Sequence, residues 1–312
     1  MRLILPILTV MVWASIAATP ALAEPTPVSL ATATPGGGFM LYGDNAAAVI
    51  NETDPTLKVE TQNTKGSLEN IGLLEEGKFD LALVQGVAAH EAFAGIGRPP
   101  VKLKVIAAIY SSPGMFVVKD ASAARFVRDL VGQPVAWGTR TSGLTLMARY
   151  IMDGLGLDRD KDFKGTFLQK AGDGPPLVID GKVAAFWGAG IGWPGFTRVM
   201  KTGGRFVGFT PEEVEKVTSK HDFLKAMTVP AGSYAGQKDD VNSIGVWSFI
   251  LSRPDLPDEV AYKVVRALHK GHDALVNRLP QARETTLQNT KTSADASRIH
   301  PGVLKYLKEN GL

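Results

Sequence analysis

The 312-residue chain sets 34 Lys and Arg against 31 Asp and Glu, a formal charge of +3, and it contains no cysteine. That mild charge excludes a dedicated nucleic-acid binder, which gathers Lys and Arg on one face. The missing cysteine excludes a disulfide framework, a thiolate metal site and a cysteine nucleophile.

In chain order, Arg2 and the apolar run LILPILTVMVWASIAA lead to the small-x-small triplet Ala21-Leu22-Ala23. This reads as a cleavable secretory leader over residues 1–23, with Glu24 as the mature N-terminus. Pro6 and Pro20 interrupt it, and no later run is apolar for long enough to span a bilayer.

Val28 to Thr32 is a strand candidate opening into Pro35-Gly36-Gly37-Gly38, a helix follows through Leu41 to Ile50, and Leu57 to Gln62 is extended. Ser67 is placed to cap a helix that ends near Gly77. The run Asp80 to Val84 suits a strand covered on both faces, so the order is β-α-β. A second set holds a strand at Pro134 to Trp137, an exit loop TRTSG, and a helix at Leu144 to Leu155. Strands follow at Phe163 to Leu168 and Val183 to Trp187, then a capped, proline-led helix start at Thr210-Pro211-Glu212-Glu213. Gly245 to Leu251 is another strand, and one long helix is expected from Pro257, burying Val260, Val264, Leu268, Leu275 and Leu279. The fold class is α/β. Periodicity alone leaves the C-terminal helices either on the first lobe or as a small third domain.

The five histidines are His90, His221, His269, His272 and His300, and none sits in an HExxH arrangement. GxSxG and Walker signatures are missing too, so no catalytic residue, metal or cofactor is expected. Polar residues instead fall where doubly wound sheets hold ligands, beyond strand ends and at helix starts. These are Gly36 and Gly37; Ser67, Glu69 and Asn70; Gln85; and Thr139-Arg140-Thr141-Ser142-Gly143. Each also has a local use, Ser67 as a cap, Asn70 as a turn residue, Arg140 toward solvent. Phe39, Tyr110, Trp137, Trp187 and Trp193 can serve as cleft walls or as core. Arg140 is expected to be the charged anchor for a ligand carboxylate, its guanidinium fork matching that geometry.

The segments TATPGGGFMLYGDNAA, GSLENIGLLEEGKFDLALVQG, DLVGQPVAWGTRTSG, VPAGSYAGQKDDV, DLPDEVAYKVVRAL and IHPGVLKYLKENG occur in an order and spacing that resembles the TAXI family. These are solute-binding subunits of tripartite ATP-independent periplasmic (TRAP) transporters. The resemblance implies a type II periplasmic-binding-protein fold of two Rossmann-like lobes joined by a hinge. Residues 24–115 and 230–312 would form the first lobe and 116–229 the second, with crossings near Ser112 and Ser233. It further implies a non-enzymatic periplasmic receptor for a small organic anion, a carboxylate, dicarboxylate or glutamate-like ligand, partnered by TRAP membrane components. The site carried over is Gly36, Gly37, Phe39, Ser67, Glu69, Asn70, Gln85, Thr141, Ser142 and Gly143. Leu144 and Met147 replace a threonine and an asparagine common in the family. An enzyme on the same fold, or a surface interaction protein that has lost transport, are the competing readings.

Overall fold

The computed structural model describes residues 24–312, so the leader and its cleavage point lie outside the described residues. The chain opens with β1 (Thr26–Ala31), α1 (Gly38–Thr53), β2 (Leu57–Gln62), α2 (Ser67–Glu75), β3 (Leu81–Gln85) and α3 (Gly86–Ala94). β1 runs parallel to both β2 and β3, as crossover helices require. All five residues of β3 are buried, which explains a continuous apolar run in place of alternation.

β4 (Lys104–Lys119) is sixteen residues long and carries the chain into the second lobe. There follow β5 (Pro134–Thr139), α4 (Gly143–Leu155), β6 (Lys164–Leu168), α5 (Gly174–Ile179), β7 (Ala185–Ala189), α6 (Pro194–Met200), β8 (Gly204–Val207), α7 (Pro211–Lys220) and β9 (Lys225–Val229). The return strand β10 (Val241–Ser252) pairs antiparallel with β9 through its first half, with β3 through its second half, and with β4 along most of its length. The sheet order is β2-β1-β3-β10-β4-β7-β5-β6, with β8 on β4 and β9 on β10. The result is a two-lobed α/β fold with a mixed sheet and flanking helices, the type II periplasmic-binding-protein architecture. One core, with Leu30, Tyr42, Ile50, Ile109 and Val264, belongs to the first lobe, and another, with Met115, Phe186, Phe196 and Tyr234, to the second. A third cluster joins Val84 and Ala88 to Phe116, Met147 and Trp187 across the middle.

Two expectations change. The return crossing is not at Ser233: Tyr234 is buried against Phe196 and Phe206, and its hydroxyl donates to Gly190 O at 2.7 Å, which ties that loop to the second lobe. The crossing lies within β10, where Ser112 and Ser248 hydroxyls meet at 2.9 Å. The expected long helix is α8 (Asp258–Lys270) and α9 (His272–Arg278), broken at Gly271. A Cβ on Gly271 would stand 2.4 Å from Val49 Cγ1 and 2.7 Å from Thr53 Oγ1, so α1 passes where a side chain would go. The break lets Leu275 and Leu279 reach the core that Val264 and Leu268 already enter. The chain closes with α10 (Leu287–Ser293) and α11 (Pro301–Glu309) packed on the first lobe.

Candidate functional site

The starts of four helices converge on the seam between the lobes. Gly37 and Gly38 open α1, Gly66 and Ser67 open α2, Gln85 caps α3, and Ser142 and Gly143 open α4. All seven residues border one cavity of about 110 Å³. α3 and α4 are capped by their own side chains: Gln85 Oε1 accepts from Val87 N at 3.3 Å and Ser142 Oγ from Thr145 N at 3.2 Å. α1 and α2 begin on glycines with no side-chain cap, which leaves first-turn amides for another acceptor.

The walls are Phe39 and Tyr110 from the first lobe, and Leu144, Phe186 and Trp193 from the second. Phe186 and Trp193 rings lie 5.1 Å apart, Phe39 and Tyr110 rings 6.3 Å. Burial holds the Tyr110 phenol well above its ordinary pKa, so it stays a neutral hydroxyl. Hydroxyls of Thr34, Ser67, Ser112, Thr139 and Ser142 add polar points. Lys65 is the one Lys or Arg among the described residues bordering the cavity, and no Asp, Glu or His borders it.

The lobes are closed on this space. Across the seam Gly172 N donates to Pro35 O at 3.2 Å, Ala171 N to Thr34 Oγ1 at 3.0 Å, and Leu68 N to Thr141 O at 3.1 Å. Thr141 Oγ1 donates to Lys65 O at 3.0 Å, and Gln85 Nε2 to Met147 Sδ at 3.1 Å. Such contacts demand small residues: a Cβ on Gly143 would lie 2.6 Å from Gln85 Cβ.

Of the residues singled out in the sequence, Gly37, Phe39, Ser67, Gln85, Tyr110, Thr139, Ser142, Gly143 and Trp193 border the cavity. Ser67, Gln85 and Ser142 also do local work there, since Ser67 Oγ accepts from Gln85 N at 3.0 Å and Ser142 Oγ donates to Thr139 O at 2.9 Å. Seven others are elsewhere. Gly36 packs on Gly172 in the seam, and Thr141 serves the seam bonds. Glu69 turns back to accept from Lys65 N. Asn70 is fully buried, and its Nδ2 ties Thr32 O to Leu83 O at 2.8 Å each. Trp137 and Trp187 are core, Trp137 edge-on to Phe116 and Phe163. Arg140, the expected anchor, is exposed and lays its guanidinium 3.9 Å over the Phe167 ring, because the β5 exit loop directs it outward onto β6. Thr34, Lys65, Leu144, Ala171 and Phe186 are cavity residues that the site reading passed over. Lys65 had the one usable signal, its place immediately before an uncapped glycine helix start.

A family model described as the NMT1-like family matches residues 30–311. The chain belongs to the NMT1-like family. This NMT1-like chain also shares its fold with solved structures of low identity. One described as a periplasmic transporter superposes with a TM-score of 0.57 at 12% identity, over 92% of this chain and 94% of the other. The substrate binding protein of an amino acid ABC transporter gives 0.51 at 13%, over 81% and 98%. The alkanesulfonate-binding protein of Xanthomonas axonopodis pv. citri bound to MOPS gives 0.50 at 15%, over 93% and 92%. Among the described residues no group of three or more His, Asp and Glu is placed to hold a metal ion, and no helix is long and apolar enough to cross a membrane.

Proposed function

We propose that this NMT1-like chain is a non-enzymatic, exported receptor that closes its lobes on a small organic anion and delivers it to TRAP membrane components. The observation that carries the reading is the convergence of four helix starts and Lys65 on a cavity bordered by no carboxylate. Each helix start presents a partial positive charge, and α1 and α2 add first-turn amides that no side chain caps, so the enclosed space favours an anion over a neutral or cationic guest. The lobe division follows the strands, with residues 24 to the middle of β4 and the second half of β10 onward as one body. The fold neighbours named for an amino acid transporter and for alkanesulfonate binding are in keeping with a solute receptor. Delivery to TRAP components rests on the order of segments from TATPGGGF to IHPGVLKYLKENG.

The test is native mass spectrometry of protein isolated from its own cell envelope, then denaturation and identification of what is released. An unchanged small anion is expected, and K65Q should bind it about tenfold more weakly while keeping its circular dichroism. Release of a cation or a neutral molecule, or conversion of the ligand on incubation, overturns the reading. N-terminal sequencing of the same material should begin at Glu24.

A further inference from the structure

We infer that the ligand carries one negative charge, an apolar body and no ammonium group, which rests on the anion reading above and narrows it. An ammonium needs a carboxylate, or a ring of carbonyls, to replace its hydration. The carboxylates on the segments that build this cavity are turned elsewhere. Glu69, in the first turn of α2, accepts from the backbone of Lys65. Glu284 reaches β4 between two cavity residues but binds Ser111, with Ser111 N at 2.7 Å and the hydroxyl at 2.9 and 3.0 Å, on the other side of the strand from Tyr110 and Ser112. Asp173, beside the lining residue Ala171, accepts from Lys170 N at 3.0 Å. An amino group would therefore meet helix starts and Lys65 with no counter-charge.

A second acid group is disfavoured by the apolar part of the lining. The apolar boundary is Phe39, Leu144, Phe186, Ala189 and Trp193, with Phe39 and Leu144 in the first turns of α1 and α4, and among the described residues Lys65 is the one Lys or Arg that borders the space. Arg140, which would match a second carboxylate, is over Phe167 outside. Met147 occupies the Gln85 amide through its sulfur, so that amide too is drawn from the cavity toward the core. One anionic head at the helix starts and an apolar remainder against the rings matches the helix starts and the apolar part of the lining.

The experiment is a thermal-shift and calorimetric panel of matched compounds on the full mature chain stripped of ligand by denaturation and refolding. The pairs are propionate with alanine, isovalerate with valine, isocaproate with leucine, ethanesulfonate with taurine, and butyrate with glutarate, with the neutral amides and alcohols that correspond to the acids as controls. The deaminated or singly charged member of at least one pair should bind, and its partner at least about 100-fold more weakly. An amino compound that binds as tightly as its deaminated partner, or glutarate binding more tightly than butyrate, overturns the inference and leaves the anion reading standing. If only the corresponding neutral amides and alcohols bind, the anion reading itself fails. If no compound in the panel binds, the molecule released from the isolated protein decides: an amine or a second acid group in it overturns the inference, and a monoanion without either supports it.

Discussion

Gly143 touches the other lobe, where a Cβ would lie 2.6 Å from Gln85 Cβ and 3.1 Å from Ser67 Oγ. It is the first residue of α4 and has no left-handed backbone, so alanine suits its helix and offends only the closed arrangement. G143A should keep the parent's melting temperature without ligand and bind the natural ligand roughly tenfold more weakly, since overpacking costs about 1–3 kcal/mol. Calorimetry beside circular dichroism checks both, and parent-like affinity would show that the two surfaces do not meet in the bound state. The helix starts of this site were legible because Gly, Ser and Gln after a strand carry a local signal. Where Arg140 points was not, because its partner Phe167 sits on a strand whose position only the folded sheet defines. Trp137 and Trp193 illustrate the same limit: both follow apolar runs, yet one is buried among rings and the other borders the cavity.

At the scale of elements, α11 depends on His300. Its Nδ1 accepts from Gly302 N at 3.2 Å and its Nε2 donates to Leu256 O at 3.0 Å, which joins the helix start to the loop before α8. Burial holds the imidazole below its ordinary pKa, and exposed Asp258, 3.7 Å from Nδ1, does not reverse this. The unfolded chain therefore binds this proton more readily than the folded one. The stabilisation is complete above the unfolded value near 6.5 and is lost as pH falls through and below it. His90 is shifted the same way, mainly by burial. Melting temperature should fall between about pH 7.5 and pH 5.5, and H300N, which keeps an acceptor for Gly302 N, should flatten part of that fall. An unchanged slope in H300N would remove His300 as a cause. The β-α-β order could be read from periodicity, since alternation and capping are local. The reach of β4 and β10 could not, because a strand shared by two lobes looks like any long apolar run, and Gly271 ends α8 only because α1 lies against it.

For the whole molecule, the two lobes share one ribbon. β4 and β10 pair from Lys104 with Ser252 to Gly114 with Ile244, with register shifts between Ser248 and Phe249 and between Ile250 and Leu251. Bulges bend and twist a ladder without dissolving it, so opening is expected to swing the lobes about an intact pair of strands. Small-angle scattering should give a larger radius of gyration for verified ligand-free protein than for the saturated form. Equal radii, with saturation confirmed by calorimetry, would mean that the closed arrangement persists without ligand. Amides of Tyr110, Ser111, Ser112 and Gly114 should stay protected from hydrogen exchange in both forms.

The place of β10 between β3 and β4 also orders events in time. Both neighbours precede it in the chain by more than a hundred residues, so their facing edges stay uncovered until the ribosome has passed Ser252. A nascent chain that stops short of Val241 holds two apolar strands with open ladders, a state that pairs with other chains if left unattended. The second lobe can assemble early from contiguous sequence, whereas the first must wait. On the export proposed above, that late closure would keep the first lobe loose while the chain crosses a membrane.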